Sequence, residues 1–173
     1  PEFKGYERLR LSAGLAFPAG SKGKPLRKVF ERELKVFPSS LSAPKIIYED
    51  GWYDYEINPE AVLKRWRWTA KEARCLIDNP RRDALLVVKG GVDKEVLSDQ
   101  KIILKIGDYV LDEFIPEDIQ FEKSYSIKKE MLGEKDRFYL VIATDKTFIP
   151  AEVIPGSKDR RRLGLQISFL YFR

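Results

Sequence analysis

From Lys45 to the last residue, short apolar segments alternate with turn-forming residues, and this pattern restricts the possible folds more than any other feature. The segments are rich in β-branched and aromatic side chains, which favour β-strands. In Ile106-Gly107-Asp108-Tyr109 the glycine can adopt the positive φ of a tight hairpin turn. Many short strands at this spacing predict an antiparallel sandwich or barrel. One helical turn is predicted at Ala61–Leu63, after Asn58-Pro59-Glu60. The predicted strands are Ile46–Glu49, Tyr53–Ile57, Trp66–Thr69, Arg74–Ile77, Ala84–Lys89, Lys101–Ile106, Tyr109–Phe114, Phe121–Ile127, Phe138–Ala143 and Leu165–Phe172.

The first part of the chain follows another pattern and is predicted to be an N-terminal appendage and linker, residues 1–44, ahead of the β domain at 45–173. Apolar and polar residues alternate at 8–17, which predicts a half-buried strand. The apolar residues of 26–37 recur at helical spacing between two prolines, which favours a helix, although several also share the parity of a strand. Pro1–Phe3 is interpreted as a cloning scar.

The composition narrows the possible chemistry. The chain has no histidine, which removes Ser-His-Asp and Cys-His catalytic pairs and most zinc sites and leaves carboxylate, tyrosine or lysine chemistry. A non-enzyme is therefore predicted, and no metal or cofactor is predicted. Its single cysteine, Cys75, lies in an apolar stretch and is predicted to be a buried small hydrophobe. The net charge of +5 is mild, and acidic residues lie between the basic clusters.

All three tryptophans fall within seventeen residues, interleaved with charged side chains. Trp66 and Trp68 share strand parity, so they face one way, either into a core or outward as a platform for a sugar. Trp52 has the opposite parity to its neighbouring tyrosines. If those tyrosines enter the core, Trp52 forms an exposed aromatic and acidic cluster with Asp54 and Glu56, which favours ligand binding.

A basic loop near the C-terminus offers a second candidate site. Arg160 and Arg161 can clamp a uronate, a phosphate or a pair of hydroxyls. The alternative is that these arginines pair with nearby carboxylates and hold the loops in place.

Three further features occur in order along the chain: Gly51–Tyr53 with Arg65–Ala73, the strand–turn–strand Lys101–Leu111, and Ala143–Glu152 followed by Asp159–Ile167. Together they resemble the jelly-roll accessory domain found beside bacterial glycosyltransferases and methyltransferases of cell-surface polysaccharide synthesis. The resemblance covers residues 45–173 and extends more loosely to galactose-binding-like carbohydrate-binding modules. It implies a jelly-roll β-sandwich, which the strand and helix of the appendage would precede.

The function expected from these observations is a non-catalytic module that binds or positions a glycan for a larger, cytoplasmic polysaccharide biosynthesis protein. Its partners would be a glycan and the enzyme domain of the parent chain, without nucleic acid or membrane insertion. The alternative is a structural domain that docks on its parent enzyme without a ligand; nucleic-acid binding and glycosidase activity are weaker alternatives. The predicted ligand-binding residues are Trp52, Asp54, Glu56, Trp66, Trp68, Arg160 and Arg161.

Overall fold

The computed structural model describes residues 7–13, 30–36, 43–58 and 61–173, with the backbone alone at 7–13, 30–36 and 61–64. The chain divides into two compact units, Pro1–Ser42 and Ala43–Arg173. Within the described residues, no helix combines the length and the apolar character needed to cross a membrane.

The first unit contains a two-stranded antiparallel sheet. Strand β1 (Glu7–Ala13) pairs with β2 (Phe30–Val36), with Leu9 opposite Leu34. The helix predicted at 26–37 is therefore wrong at Phe30–Val36, because hydrogen bonds to β1 hold that segment extended despite its helical spacing. Residues 26–29, 37 and 14–17, where these predictions also fell, lie outside the described residues.

The second unit consists of two five-stranded sheets. The front sheet has the order β10-β7-β12-β5-β4, and the back sheet has the order β3-β6-β11-β8-β9. Two single-turn helices, α1 (Lys129–Leu132) and α2 (Pro150–Val153), were not predicted. The strands are β3 (Ile46–Tyr48), β4 (Trp52–Asn58), β5 (Ala61–Thr69), β6 (Glu72–Asp78), β7 (Ala84–Gly91), β8 (Ile102–Ile106), β9 (Tyr109–Phe114), β10 (Gln120–Ile127), β11 (Arg137–Thr144) and β12 (Gln166–Phe172).

The connections between β5 and β12 have the topology of a jelly roll. Every step along the chain crosses to the other sheet except the β8–β9 hairpin, and all pairings are antiparallel. The resulting orders, β5-β12-β7-β10 and β6-β11-β8-β9, are the two four-stranded sheets of a jelly roll, to which β4 and β3 add edge strands. The prediction of an all-β jelly-roll sandwich is confirmed, and each predicted strand overlaps an observed one.

One local prediction inside the domain is wrong. Ala61–Leu63 belongs to β5 and does not form a helical turn. Asn58 pairs directly with Ala61, so the chain reverses direction here. The same Asn-Pro pair that can begin a helix also favours a tight turn, and strand pairing decides between them.

The core lies between the two sheets and is built largely from alternate residues of strands such as β6, β8 and β11. Aromatic contacts connect the sheets, with ring centres 5.5 Å apart for Phe114–Phe121 and 5.3 Å for Phe138–Phe172. Cys75 is fully buried, and burial raises the pKa of its thiol to about 12. Other fully buried side chains are Ile77, Leu86, Val88, Ile102, Leu104, Ile106, Leu140, Ile142, Leu165 and Phe172.

Candidate functional site

Two of the tryptophans lie on the outer face of the front sheet. On β5, the guanidinium carbon of Arg67 lies 4.9 Å from the ring centre of Tyr48, which belongs to the back sheet, so Arg67 points inward. Successive side chains of a strand alternate between faces, so Trp66 and Trp68 point outward. Both rings are half-buried and lie outside the core cluster. The geometry therefore favours the platform over the core alternative for this pair.

Glu56 holds both indole rings in place. Its Oε2 atom accepts hydrogen bonds from Trp66 Nε1 at 3.1 Å and from Trp68 Nε1 at 3.2 Å. Glu56 and Trp66 are directly opposite each other on β4 and β5, which places the carboxylate beside both rings. The strand register thus fixes the orientation of the two tryptophans.

Arg161 completes this arrangement from the C-terminal loop. Its Nη2 atom donates to Glu56 Oε1 at 2.6 Å and to Asp159 Oδ2 at 2.6 Å, and its Nε also donates to Asp159. These hydrogen bonds lower the pKa of Asp159 and raise the pKa of Arg161. We call Glu56, Trp66, Trp68, Asp159 and Arg161 the indole–carboxylate cluster. Arg161 is thus paired with carboxylates, which was the alternative to its clamping a ligand. The same ion pair holds Glu56 where it can orient the two indole rings.

Trp52 lies apart from this cluster. Its ring packs edge-on against Tyr48, with ring centres 4.9 Å apart, and its Nε1 donates to the backbone oxygen of Arg74 at 2.9 Å. The register of β4 shifts between Trp52 and Tyr55, and this irregularity places Trp52 against the core while Glu56 faces outward. Asp54 is exposed. The structure therefore does not assemble the predicted cluster of Trp52, Asp54 and Glu56.

A cleft of about 350 Å³ opens beside Trp68 on the outer face. Its floor follows one row of the sheet, because Gly91 is paired with Gln120 on one side and with Gln166 on the other, and Gln166 is paired with Trp68. This volume is at the lower end of the range for small-molecule sites. The lining residues are Trp68, Gly91, Val92, Asp93, Lys94, Glu95, Ile119, Gln120 and Gln166.

Gly91 allows two amide groups to converge on the floor of the cleft. A Cβ atom at this position would lie 2.8 Å from Nε2 of Gln120 and 3.4 Å from Oε1 of Gln166. Any larger residue would therefore displace the first amide. Amide groups both donate and accept hydrogen bonds. The two glutamines can therefore bind a ligand hydroxyl group that acts as a donor or as an acceptor.

The far wall of the cleft is a short turn after β7. Asp93 Oδ1 accepts a hydrogen bond from the backbone of Val96, and Asp93 O accepts one from Leu97. Lys94 Nζ donates to the backbone oxygen of Glu117. These bonds hold the wall in place, and Glu95 beside them is exposed.

Trp68 connects the cleft to the indole–carboxylate cluster. One edge of its ring is held by Glu56, and the ring also packs edge-on against the buried Phe148, with ring centres 5.9 Å apart. A ring restrained at two places loses little conformational freedom when a ligand packs against it.

The predicted site residues thus fall into two groups. Glu56, Trp66, Trp68 and Arg161 come together, whereas the remaining residues do not join them. Arg160 has an exposed side chain next to Arg161 in the sequence. Trp52 packs against the core, and Asp54 is exposed. Among the residues that the structure describes, no group of three or more cysteine or acidic side chains is placed to hold a metal ion.

Gln120, Gln166 and the turn at 93–95 were not predicted from the sequence. The available signal was Gly90-Gly91, the pair of glycines that ends β7. A glycine inside a strand often marks a close approach by another group, as it does here. No protein-family model matches the chain, and no curated protein matches it in sequence.

Proposed function

We propose that the Ala43–Arg173 unit binds a carbohydrate, without catalysis, in the cleft beside Trp68. The observation that carries the proposal is an outward-facing indole ring, restrained by Glu56 and Phe148, beside the converging amides of Gln120 and Gln166. It supports the prediction of a glycan-binding module and moves the expected site from Trp52 to Trp68.

The chemistry of the cleft suits a sugar. A pyranose ring has an apolar C–H face, which an indole ring can cover, and a rim of hydroxyl groups, which amides and carboxylates can bind. Trp68 supplies the ring, and Gln120, Gln166 and Glu95 supply the polar groups. The cleft is open and shallow, and stacking contributes roughly 1 kcal/mol per ring, so we expect micromolar to millimolar affinity.

The engagement of Glu56 supports a binding role over a glycosidase role. Glycoside hydrolysis needs one carboxyl group as acid and a second as base or nucleophile. Both oxygens of Glu56 already accept hydrogen bonds from the indoles and Arg161. The accessory role beside a transferase of polysaccharide synthesis comes from the resemblance, and the transferase activity of the parent protein, measured with and without this module, tests it.

The test is a titration of the protein with a panel of neutral and acidic oligosaccharides, followed by tryptophan fluorescence and calorimetry. We expect at least one glycan to bind, and Gln166→Ala and Trp68→Ala to weaken that binding about fivefold or more. Tyr109→Ala, which removes an exposed ring from the β8–β9 hairpin, is the matched control and should bind as wild type does. Absence of binding across the panel would contradict the proposal and favour the ligand-free docking domain.

A further inference from the structure

The segment that carries Arg161 presents a row of positive charges. Exposure alternates strictly along residues 158–163, and Asp159, Arg161 and Leu163 face the protein. The outward-facing residues, which we call the basic row, are Lys158, Arg160 and Arg162. Within the part of the chain that the structure describes, no carboxylate forms an ion pair with any of these three.

The inward-facing residues hold the basic row in position. The backbone oxygen of Asp159 accepts a hydrogen bond from Ala151 at 2.8 Å, and Leu163 exchanges two backbone hydrogen bonds with Phe148. Tyr53 donates its hydroxyl to the backbone oxygen of Arg162 at 3.1 Å. Because its backbone is anchored in this way, the segment needs ordering only of its exposed side chains on binding.

The spacing of the basic row suits a chain with repeated negative charges. Alternate residues of an extended segment have Cα atoms at most about 7 Å apart. Asp159, the acidic residue within this segment, is already paired with Arg161. The row is therefore a local excess of positive charge that complements a linear polyanion.

Resting on the proposed carbohydrate function, we propose that the ligand is an acidic glycan, with its anionic groups on the basic row and a sugar ring against Trp68. Glu56 links the ring to the segment of the basic row, because it accepts hydrogen bonds from Trp68 at 3.2 Å and from Arg161, the neighbour of Arg160 and Arg162, at 2.6 Å. An aromatic ring and a line of cations linked through Glu56 fit a polymer of uronate or phosphorylated sugars. A neutral glycan would leave the line of cations unused.

The test compares oligomers of polygalacturonate with their methyl-esterified, uncharged form. Arg160→Gln/Arg162→Gln should weaken binding of the acidic oligomer about tenfold, because each exposed ion pair contributes roughly two- to fivefold. Binding of the esterified oligomer should change less than about twofold. The control Lys129→Gln/Lys135→Gln removes the same charge from two exposed lysines near α1 and should leave both affinities within about twofold.

Two results would overturn the inference and leave carbohydrate binding intact. One is equal affinity of the double variant and wild type for the acidic oligomer, with loss of binding in Trp68→Ala. The other is binding of neutral glycans alone. Binding of a single-stranded oligonucleotide as tightly as polygalacturonate, with the same dependence on Arg160 and Arg162, would overturn it in favour of nucleic acid. Absence of binding to every glycan would overturn both proposals.

Discussion

Replacing Glu56 with alanine tests how the outer face of the front sheet is held together. Its carboxylate is the shared acceptor of Trp66, Trp68 and Arg161, so one substitution breaks three hydrogen bonds at once. Asp54→Ala removes an exposed carboxylate from the same strand and is the matched control.

The magnitude follows from the exposure of these groups. The side chains of Arg161 and Glu56 are 35% and 32% exposed, so water can replace part of each lost interaction. We assign up to about 1 kcal/mol to the ion pair and about 0.5 kcal/mol to each indole hydrogen bond, the lower end of the range for such bonds. Glu56→Ala should therefore lower the free energy of unfolding by about 2 kcal/mol, which corresponds to a fall in Tm of about 6 °C for a domain of this size.

The assay is equilibrium unfolding in urea, followed by circular dichroism and by tryptophan fluorescence. Glu56→Gln keeps one oxygen acceptor without the charge and should lose about half as much as Glu56→Ala. Asp54→Ala should stay within about 0.5 kcal/mol of wild type. If Glu56→Ala unfolds at the same urea concentration as Asp54→Ala, the carboxylate does not organise this surface and the reasoning is refuted.

The buried thiol, a crowded glycine and the loop carboxylate provide further tests. Cys75, whose thiol pKa is raised by burial, should react with a thiol reagent only after unfolding in urea, and rapid modification of the native protein would contradict its placement. Gly51→Ala should lower the free energy of unfolding by at least about 2 kcal/mol, because a Cβ would lie 1.9 Å from a backbone oxygen. Gly107→Ala, also at positive φ but with no atom within 4 Å of the Cβ, should lower it by about 1 kcal/mol. Equal losses of Tm in the two variants would argue against this packing. Because its pKa is lowered, the carboxylate of Asp159 stabilises the fold at neutral pH, and this contribution disappears as pH falls through that pKa. The difference in stability between wild type and Asp159→Asn should therefore shrink below about pH 4. A difference that is constant with pH would refute this prediction.

Most of the β domain could be predicted from the sequence because its strands are short, alternate in polarity and are separated by turn residues. The periodicity that marks a strand is local, so segments such as Phe138–Ala143 and Tyr109–Phe114 could be recognised without knowing their partners. The errors occurred where local signals were ambiguous. At Phe30–Val36 and Ala61–Leu63, pairing with a neighbouring strand determined the structure.

The grouping of the tryptophans was predicted in part, for a different reason. The parity of Trp66 and Trp68 correctly placed both rings on one face, because the extra residue at the β4–β5 register shift after Trp52 lies on β4 and not on β5. Parity gave the wrong prediction for Trp52, because the register shift on β4 places Trp52 and Glu56 on opposite faces of the sheet. The periodicity of the sequence carries no sign of such a shift. Gln120 and Gln166 were missed because they meet only through the lateral order of β10, β7 and β12.

The most direct test of carbohydrate binding on the outer face is a ¹H–¹⁵N correlation spectrum recorded during titration with the acidic oligomer. The chain has three tryptophans, so each indole N–H signal can be followed separately. We predict that the indole signal of Trp68 and the side-chain amide signals of Gln120 and Gln166 shift with ligand concentration, whereas the indole signal of Trp52 stays in place. A shift of the Trp52 signal without the other three, or no shift of any of them at saturating oligomer, would contradict the account.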